Sequence, residues 1–169
     1  ILAFEVSVSY ADIRGGVIFV FQRDISERKR QEAESRLSAL VLNASTASIV
    51  VTDANNFIVS VNPAFTQITG YAPSEAIGRN PNLLSSGKQS KAFYESMWRT
   101  LTETGHWEGE WWNRRKDGEA YAEQVNLNVL RNPDGSVYRY VKIASDVTDR
   151  KHLDDQVWRL ANYDAVTNL

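Results

Sequence analysis

At 169 residues, with 19 basic against 21 acidic side chains, the chain has the size of one domain with flanking pieces and is nearly neutral. Near-neutrality removes the electrostatic case for nucleic acid or an anionic membrane, and no apolar run approaches the ~20 residues that span a bilayer. The absence of cysteine excludes a disulfide framework, a thiolate metal site and any thiol-based photochemistry or redox switch.

The first segment opens inside a strand pattern, Ile1-Leu2-Ala3-Phe4, with no signal peptide. That is the expectation for a piece of a longer, cytoplasmic protein. Phe4, Val6, Val8 and Tyr10 alternate, Val17 to Phe21 forms a second run, and Arg14-Gly15-Gly16 between them supplies the turn of a β-hairpin. A lone hairpin buries too little surface to be stable in water, so it must dock elsewhere or belong to an upstream domain. From Ser26 to about Asn43 the period becomes helical, with Ala33, Leu37, Leu40 and Ala44 at three- and four-residue steps among charges. This narrow stripe suits a dimeric coiled-coil seam, with an ordinary surface helix as the alternative.

A complete module follows from about Ser48 to Thr148. Ile49 to Thr52 and Phe57 to Val61 are short strands around the turn residues Asp53 to Asn56. Asn62-Pro63 starts a helix that Gly70 ends, and short helical turns are expected at Ser74 to Ile77 and Asn82 to Leu84. A longer helix, Ser90 to Thr104, carries Phe93, Met97, Trp98 and Leu101 on one side, with Gly105 as terminator. Three strands close the module: Trp107 to Arg114, Glu119 to Leu130 and Ser136 to Asp146, joined at Lys116-Asp117-Gly118 and Asn132-Pro133-Asp134-Gly135. The expected fold is α+β, with five antiparallel strands cupping helices on one face.

One motif occurs twice. Asp24-Ile25-Ser26-Glu27-Arg28-Lys29 returns as Asp146-Val147-Thr148-Asp149-Arg150-Lys151, each time between an apolar strand and a charged helix. Ser26 and Thr148 are expected to cap free backbone N–H groups of their helices. Asp24 with Arg28, and Asp146 with Arg150, are expected to pair across the first turn and to fix helix direction against the sheet. No catalytic constellation is present: there is no phosphate loop, no ordered Ser/His/Asp set and no histidine cluster with metal spacing. Glu108 and Glu110 share one side of a strand, and Arg114-Arg115-Lys116 forms a basic hairpin tip; solvated surface is the simpler role for both.

In this order the motifs Ile49-Val50-Val51-Thr52-Asp53, Asn62-Pro63-Ala64-Phe65, Thr69-Gly70-Tyr71, Gly78-Arg79-Asn80, Trp107-Glu108-Gly109-Glu110, Asn113 to Gly118 and Asp146-Val147-Thr148 resemble the PAS sensory domain. The resemblance implies a PAS fold over residues 46–148, with a hollow between sheet and helices. It also implies that residues 1–25 are the last strands of an upstream PAS domain and 26–45 a linker helix. Residues 149–163 become an exit signalling helix. Residues 164–169, within Tyr163-Asp164-Ala165-Val166-Thr167-Asn168-Leu169, resemble the start of a GGDEF diguanylate cyclase domain. The implied relay residues are Asp146, Thr148, Arg150, Asp24 and Arg28.

The stretch containing Asn80, Leu84, Tyr94, Trp98 and Asn113 further resembles the FAD-binding PAS domains of nitrogen-fixation redox regulators and aerotaxis receptors. Trp98 and Asn113 then fall on flavin-facing positions, where an indole can stack and an amide can match the ring's polar edge. Trp107, Trp111 and Asn113 share strand parity and so face one way. Other readings remain: Trp98 as a core residue and Asn113 as a turn-side hydrogen-bonder. A LOV-type photoadduct is excluded, since Pro81 stands where those domains carry the reactive cysteine and Ala144 where they carry a flavin-contacting glutamine. Haem would need His106 or His152, and His106 is simpler as a helix-end residue. The implied function is a non-catalytic, homodimeric relay from ligand, redox or upstream state to a downstream cyclic-di-GMP domain. An FAD redox sensor and a ligand-free dimerisation spacer are the alternatives.

Overall fold

The computed structural model describes residues 2–11 and 17–163. The Arg14-Gly15-Gly16 turn and residues 164–169 lie outside them. The chain divides between Ala44 and Ser45 into two units.

In the first unit β1 (Phe4–Ala11) and β2 (Val17–Asp24) pair antiparallel, with Phe4 opposite Asp24 and Val8 opposite Val20. Alternation places Phe4, Val6, Val8 and Val20 on one face, and all four are exposed within this unit. The hairpin leads into α1 (Ser26–Ala44), which buries none of its residues; Leu37 and Leu40 are more than half exposed.

The second unit is a five-stranded antiparallel sheet in the order β4-β3-β7-β6-β5. β3 (Ser48–Thr52) and β4 (Ile58–Val61) turn on Asp53, whose carboxylate accepts from the backbone N–H groups of Asn55 and Phe57. Asn62 opens α2 (Pro63–Thr69): its Oδ1 accepts from Phe65 N and Ile49 N, and its Nδ2 donates to the Ala47 carbonyl. One amide thus caps a helix and closes the first strand pair. Gly70, at φ 77°, ends that helix in the left-handed region expected of a glycine stop. The chain continues through α3 (Pro73–Ala76), a 3₁₀ turn (Pro81–Leu84) and α4 (Lys91–Thr104), which Ser90 caps through a bond from Phe93 N. β5 (His106–Arg114), β6 (Ala120–Arg131) and β7 (Val137–Asp146) complete the sheet, and α5 (Thr148–Tyr163) leaves it.

Two apolar clusters hold the domain. Val50, Ile58, Phe65, Ala76 and Leu84 form one, with Tyr71 against it. Met97, Leu101, Val125, Leu127 and Ala144 form the other, ringed by Tyr94, Trp98, Trp107, Trp111 and Tyr140. His106 begins β5 instead of ending a helix, because the chain turns at Gly105 (φ 78°) and the imidazole Nδ1 meets Asn128 Oδ1 at 3.1 Å across the strand pair. It is exposed and does not line the cavity described below.

Candidate ligand cavity and signal exit

A cavity of about 280 Å³ lies beside both clusters, with Val50 from the first and Met97, Leu101 and Leu127 from the second in its wall. This lies just below the usual range of small-molecule sites, about 300–1,000 Å³. Asn80, Tyr94, Trp98 and Asn113 all line it, so four residues singled out in the sequence converge. Leu84 does not. As the last residue of the 3₁₀ turn it packs with Val50 and Phe65, because the Asn80 cap on Asn82 N directs that turn into the first cluster. Pro81 lines the cavity, while Ala144 is buried in the second cluster and is absent from the wall.

Strand parity sets the sheet wall. Trp107 and Trp111 stack at 5.3 Å between ring centroids, with Gly109 between them on the same face. A Cβ on Gly109 would come within 2.5 Å of the Trp107 ring, so the stack requires glycine there. Trp98 packs edge-on against Tyr140 at 5.4 Å.

Behind the polar part of this wall, bonded to the lining residues Trp111, Asn113 and Lys142, lies a residue outside the motifs. Glu123, 1% exposed, receives four donors: Tyr121 Oη on one oxygen, and Trp111 Nε1, Asn113 Nδ2 and Lys142 Nζ on the other. Burial, reinforced by the Glu123 charge, raises the Tyr121 phenol well above its usual value and keeps it a donor. Asn113 therefore gives one amide N–H to Glu123, which fixes its orientation in the wall. A signal for this cluster exists in the sequence: Glu123 shares parity with Tyr121, Val125 and Leu127, and Lys142 with Tyr140 and Ala144.

The exit from the sheet differs from the expected ion pairs and caps. Asp146 does not pair with Arg150, nor Asp24 with Arg28. Each aspartate turns its Oδ1 to the N–H of the first helical residue, Thr148 N at 2.9 Å and Ser26 N at 2.8 Å, so it caps the helix itself. Asp146 Oδ2 instead accepts from Arg115 at 2.6 Å, and Arg28 pairs with Glu32 one turn along α1. Glu110 is exposed, as expected of a surface carboxylate, and both Arg150 and Lys151 reach it, so it is also a docking point for α5. Nor do Ser26 and Thr148 cap their helices: their hydroxyls accept from Ala3 N, just before β1, and from Ala122 N of β6.

The basic tip is likewise structural. Arg115 donates to the Ile68 carbonyl, pairs with Asp146 and Glu119, and lies 4.3 Å from the Tyr121 ring centroid. Lys116 pairs with Glu75, and Arg114 reaches the Ser86 and Gly118 carbonyls. Burial would raise the Asp146 carboxyl, but bonds from Thr148 and the Arg115 guanidinium outweigh it and hold the group below its usual value.

The two exits are built alike. Phe4 lies opposite Asp24 as Glu123 lies opposite Asp146. Ile25 N donates to Ala3 O at 2.9 Å, and Val147 N to Ala122 O at 2.9 Å. Counting from these anchors, Val6 and Val8 correspond to Val125 and Leu127, and Val20 to Lys142.

The sequence model of the PAS fold matches residues 36–147. A nitrogen fixation regulatory protein of Klebsiella oxytoca is 32% identical over 108 residues, which is 64% of this chain and 22% of the relative. The chain thus spans about a fifth of the length of this regulator and of its Klebsiella pneumoniae counterpart. Among solved structures, an RNA-binding light-oxygen-voltage receptor aligns with a TM-score of 0.69 at 26% identity, covering 80% of this chain and 38% of that one. The PAS domain of a Colwellia psychrerythraea protein aligns with a TM-score of 0.62 at 22% identity, covering 72% and 98%.

Proposed function

The chain belongs to the PAS fold family, a sensory and typically non-catalytic fold, and we propose that it works as a signal-relay module. In this reading it dimerises through its flanking helices and passes ligand, redox or upstream state along α5 to a cyclic-di-GMP output domain in the same chain. Residues 1–25 are then the closing strands of an upstream PAS domain, and residues 164–169 open a GGDEF domain. Among the described residues no helix is long and apolar enough to cross a membrane.

The observation that carries this reading is the repeated exit. Two hairpins with one register and one set of backbone bonds each hand their last strand to a helix. Leu153, Val157 and Leu160 follow on α5 at four- and three-residue steps and are 61%, 65% and 73% exposed, which suits the seam of a parallel coiled coil. Such a seam sets the rotation of whatever it precedes. Inserting four residues after Leu160 would rotate the following domain by about 40°, while seven nearly restore phase. Cyclase output of the full-length protein should lose its regulation with four added residues and recover it with seven. Output indifferent to both insertions would reduce α5 to a passive tether.

A second reading, an FAD redox sensor, is favoured by the convergence of Asn80, Tyr94, Trp98 and Asn113 on one cavity. The visible spectrum of protein expressed in rich medium decides it: flavin bands support it, and a colourless folded protein removes it. The same cavity argues against a spacer with a filled core.

A further inference from the structure

We propose that Lys142, held by Glu123, is the ligand-recognising cation of the cavity, and that it receives the carbonyl oxygen of a planar, uncharged aromatic ligand. This rests on the reading of the domain as a sensor whose cavity takes a small molecule.

The first ground is an incomplete hydrogen-bond set. The Lys142 side chain is 10% exposed and lines the cavity, yet among the described residues its one acceptor is Glu123. An ammonium carries three N–H donors. Its counter-ion is different: Glu123 already has four donors across its two oxygens. The unmet bonding capacity of the pair therefore belongs to the lysine, on the cavity side.

The second ground is the matched hairpin. Phe4 stands where β6 has Glu123, and Val20 where β7 has Lys142, while register and exit bonds are the same. The strand-to-helix exit forms without either charge. A buried ion pair is in general replaceable by apolar side chains with little loss of stability. Its presence here, with the lysine in the wall of a cavity and the glutamate behind it, points to recognition.

The lining selects the ligand class. Tyr94, Trp98, Trp111 and Tyr140 supply aromatic walls, and the Lys142 Nζ lies 5.5 Å from the Trp111 ring centroid. Among the described residues Lys142 is the one charged member of the lining, and Glu123 already balances it. A carboxylate ligand would bury an uncompensated negative charge, whereas a neutral carbonyl satisfies the free N–H groups without one.

Calorimetric titration with three probes tests this: 2-quinolone, a planar lactam; indole, which has no carbonyl; and 2-naphthoate, a carboxylate. Wild-type protein should bind 2-quinolone about tenfold more tightly than either of the others. In Lys142→Met that preference should vanish. Because Lys142→Met leaves Glu123 buried without a counter-ion, the Lys142→Met, Glu123→Gln double variant provides a neutral control that should fold and show the same loss. The inference is overturned if wild type shows no such preference, if 2-naphthoate binds most tightly, if none of the probes binds, or if a folded double variant keeps the preference. Absent probe selectivity with intact phase dependence along α5 would remove this inference alone. Lost phase dependence with intact selectivity would remove the relay reading alone.

Discussion

Arg115 shows how much one side chain can connect. Its guanidinium joins the α2 carbonyl at Ile68 to Asp146 at the exit, and it covers the ring of Tyr121. Arg115→Met keeps the stem and removes these bonds, and should cost about 1–3 kcal/mol in urea unfolding, since it also leaves a half-buried carboxylate short of donors. An unchanged midpoint would show that the bonds are solvent-equivalent. The Asp146 carboxyl is held below its usual value, so its stabilisation is present above the unfolded value of about 3.9 and is lost as pH falls through the folded one. Thermal stability should therefore decline below about pH 4, and Asp146→Asn should flatten that decline; an identical pH profile for the variant would contradict the assignment. Gly109 is a second residue with a defined role. Gly109→Ala places a methyl against the Trp107 ring, and should weaken the fold by about 1–3 kcal/mol while reducing the near-ultraviolet dichroism of the Trp107–Trp111 stack.

At the scale of elements, the exit is a joint between a strand and a helix. Thr148 is buried, and its hydroxyl accepts from Ala122 N while donating to Asp146. Thr148→Val keeps the shape but strands a buried backbone N–H, and should cost about 1–3 kcal/mol; Thr148→Ser should retain most of that. Amide exchange at Ala122 is the direct readout: faster exchange in the valine variant is expected, and unchanged protection would mean another acceptor serves. Glu110 tethers the next turn through Arg150 and Lys151, and the Lys151 bond in particular holds its carboxyl below the usual value. The helix direction is thus fixed by bonds to two different strands and not by a pair within its own first turn.

For the whole molecule, the unburied apolar residues of the helices are the informative feature. Leu37 and Leu40 on α1 are 62% and 57% exposed. If α1 forms the dimer seam, Leu37→Asp with Leu40→Asp should yield a monomer by light scattering; a dimer that survives would place the interface elsewhere.

The sequence by itself determined the element order, the turns and the parity of the strands, because hydrophobic period, Asn62 before a proline and glycine stops act locally. It brought Asn80, Tyr94, Trp98 and Asn113 to one site, since a shared motif order implies a shared fold. It also contained the inward parity of Glu123 and Lys142. It could not decide ion pairing. Asp146 lies four residues from Arg150 and 31 from Arg115, yet it bonds the distant one, because the aspartate is turned to cap its own helix and the hairpin tip comes to meet it. Leu84 packs into the first cluster and not into the cavity wall for a related reason: a 3₁₀ turn has two sides, and only the packed clusters determine which one faces the cavity. Local chemistry writes the elements, while the choice among partners of equal charge or equal hydrophobicity depends on distances that only the folded chain defines.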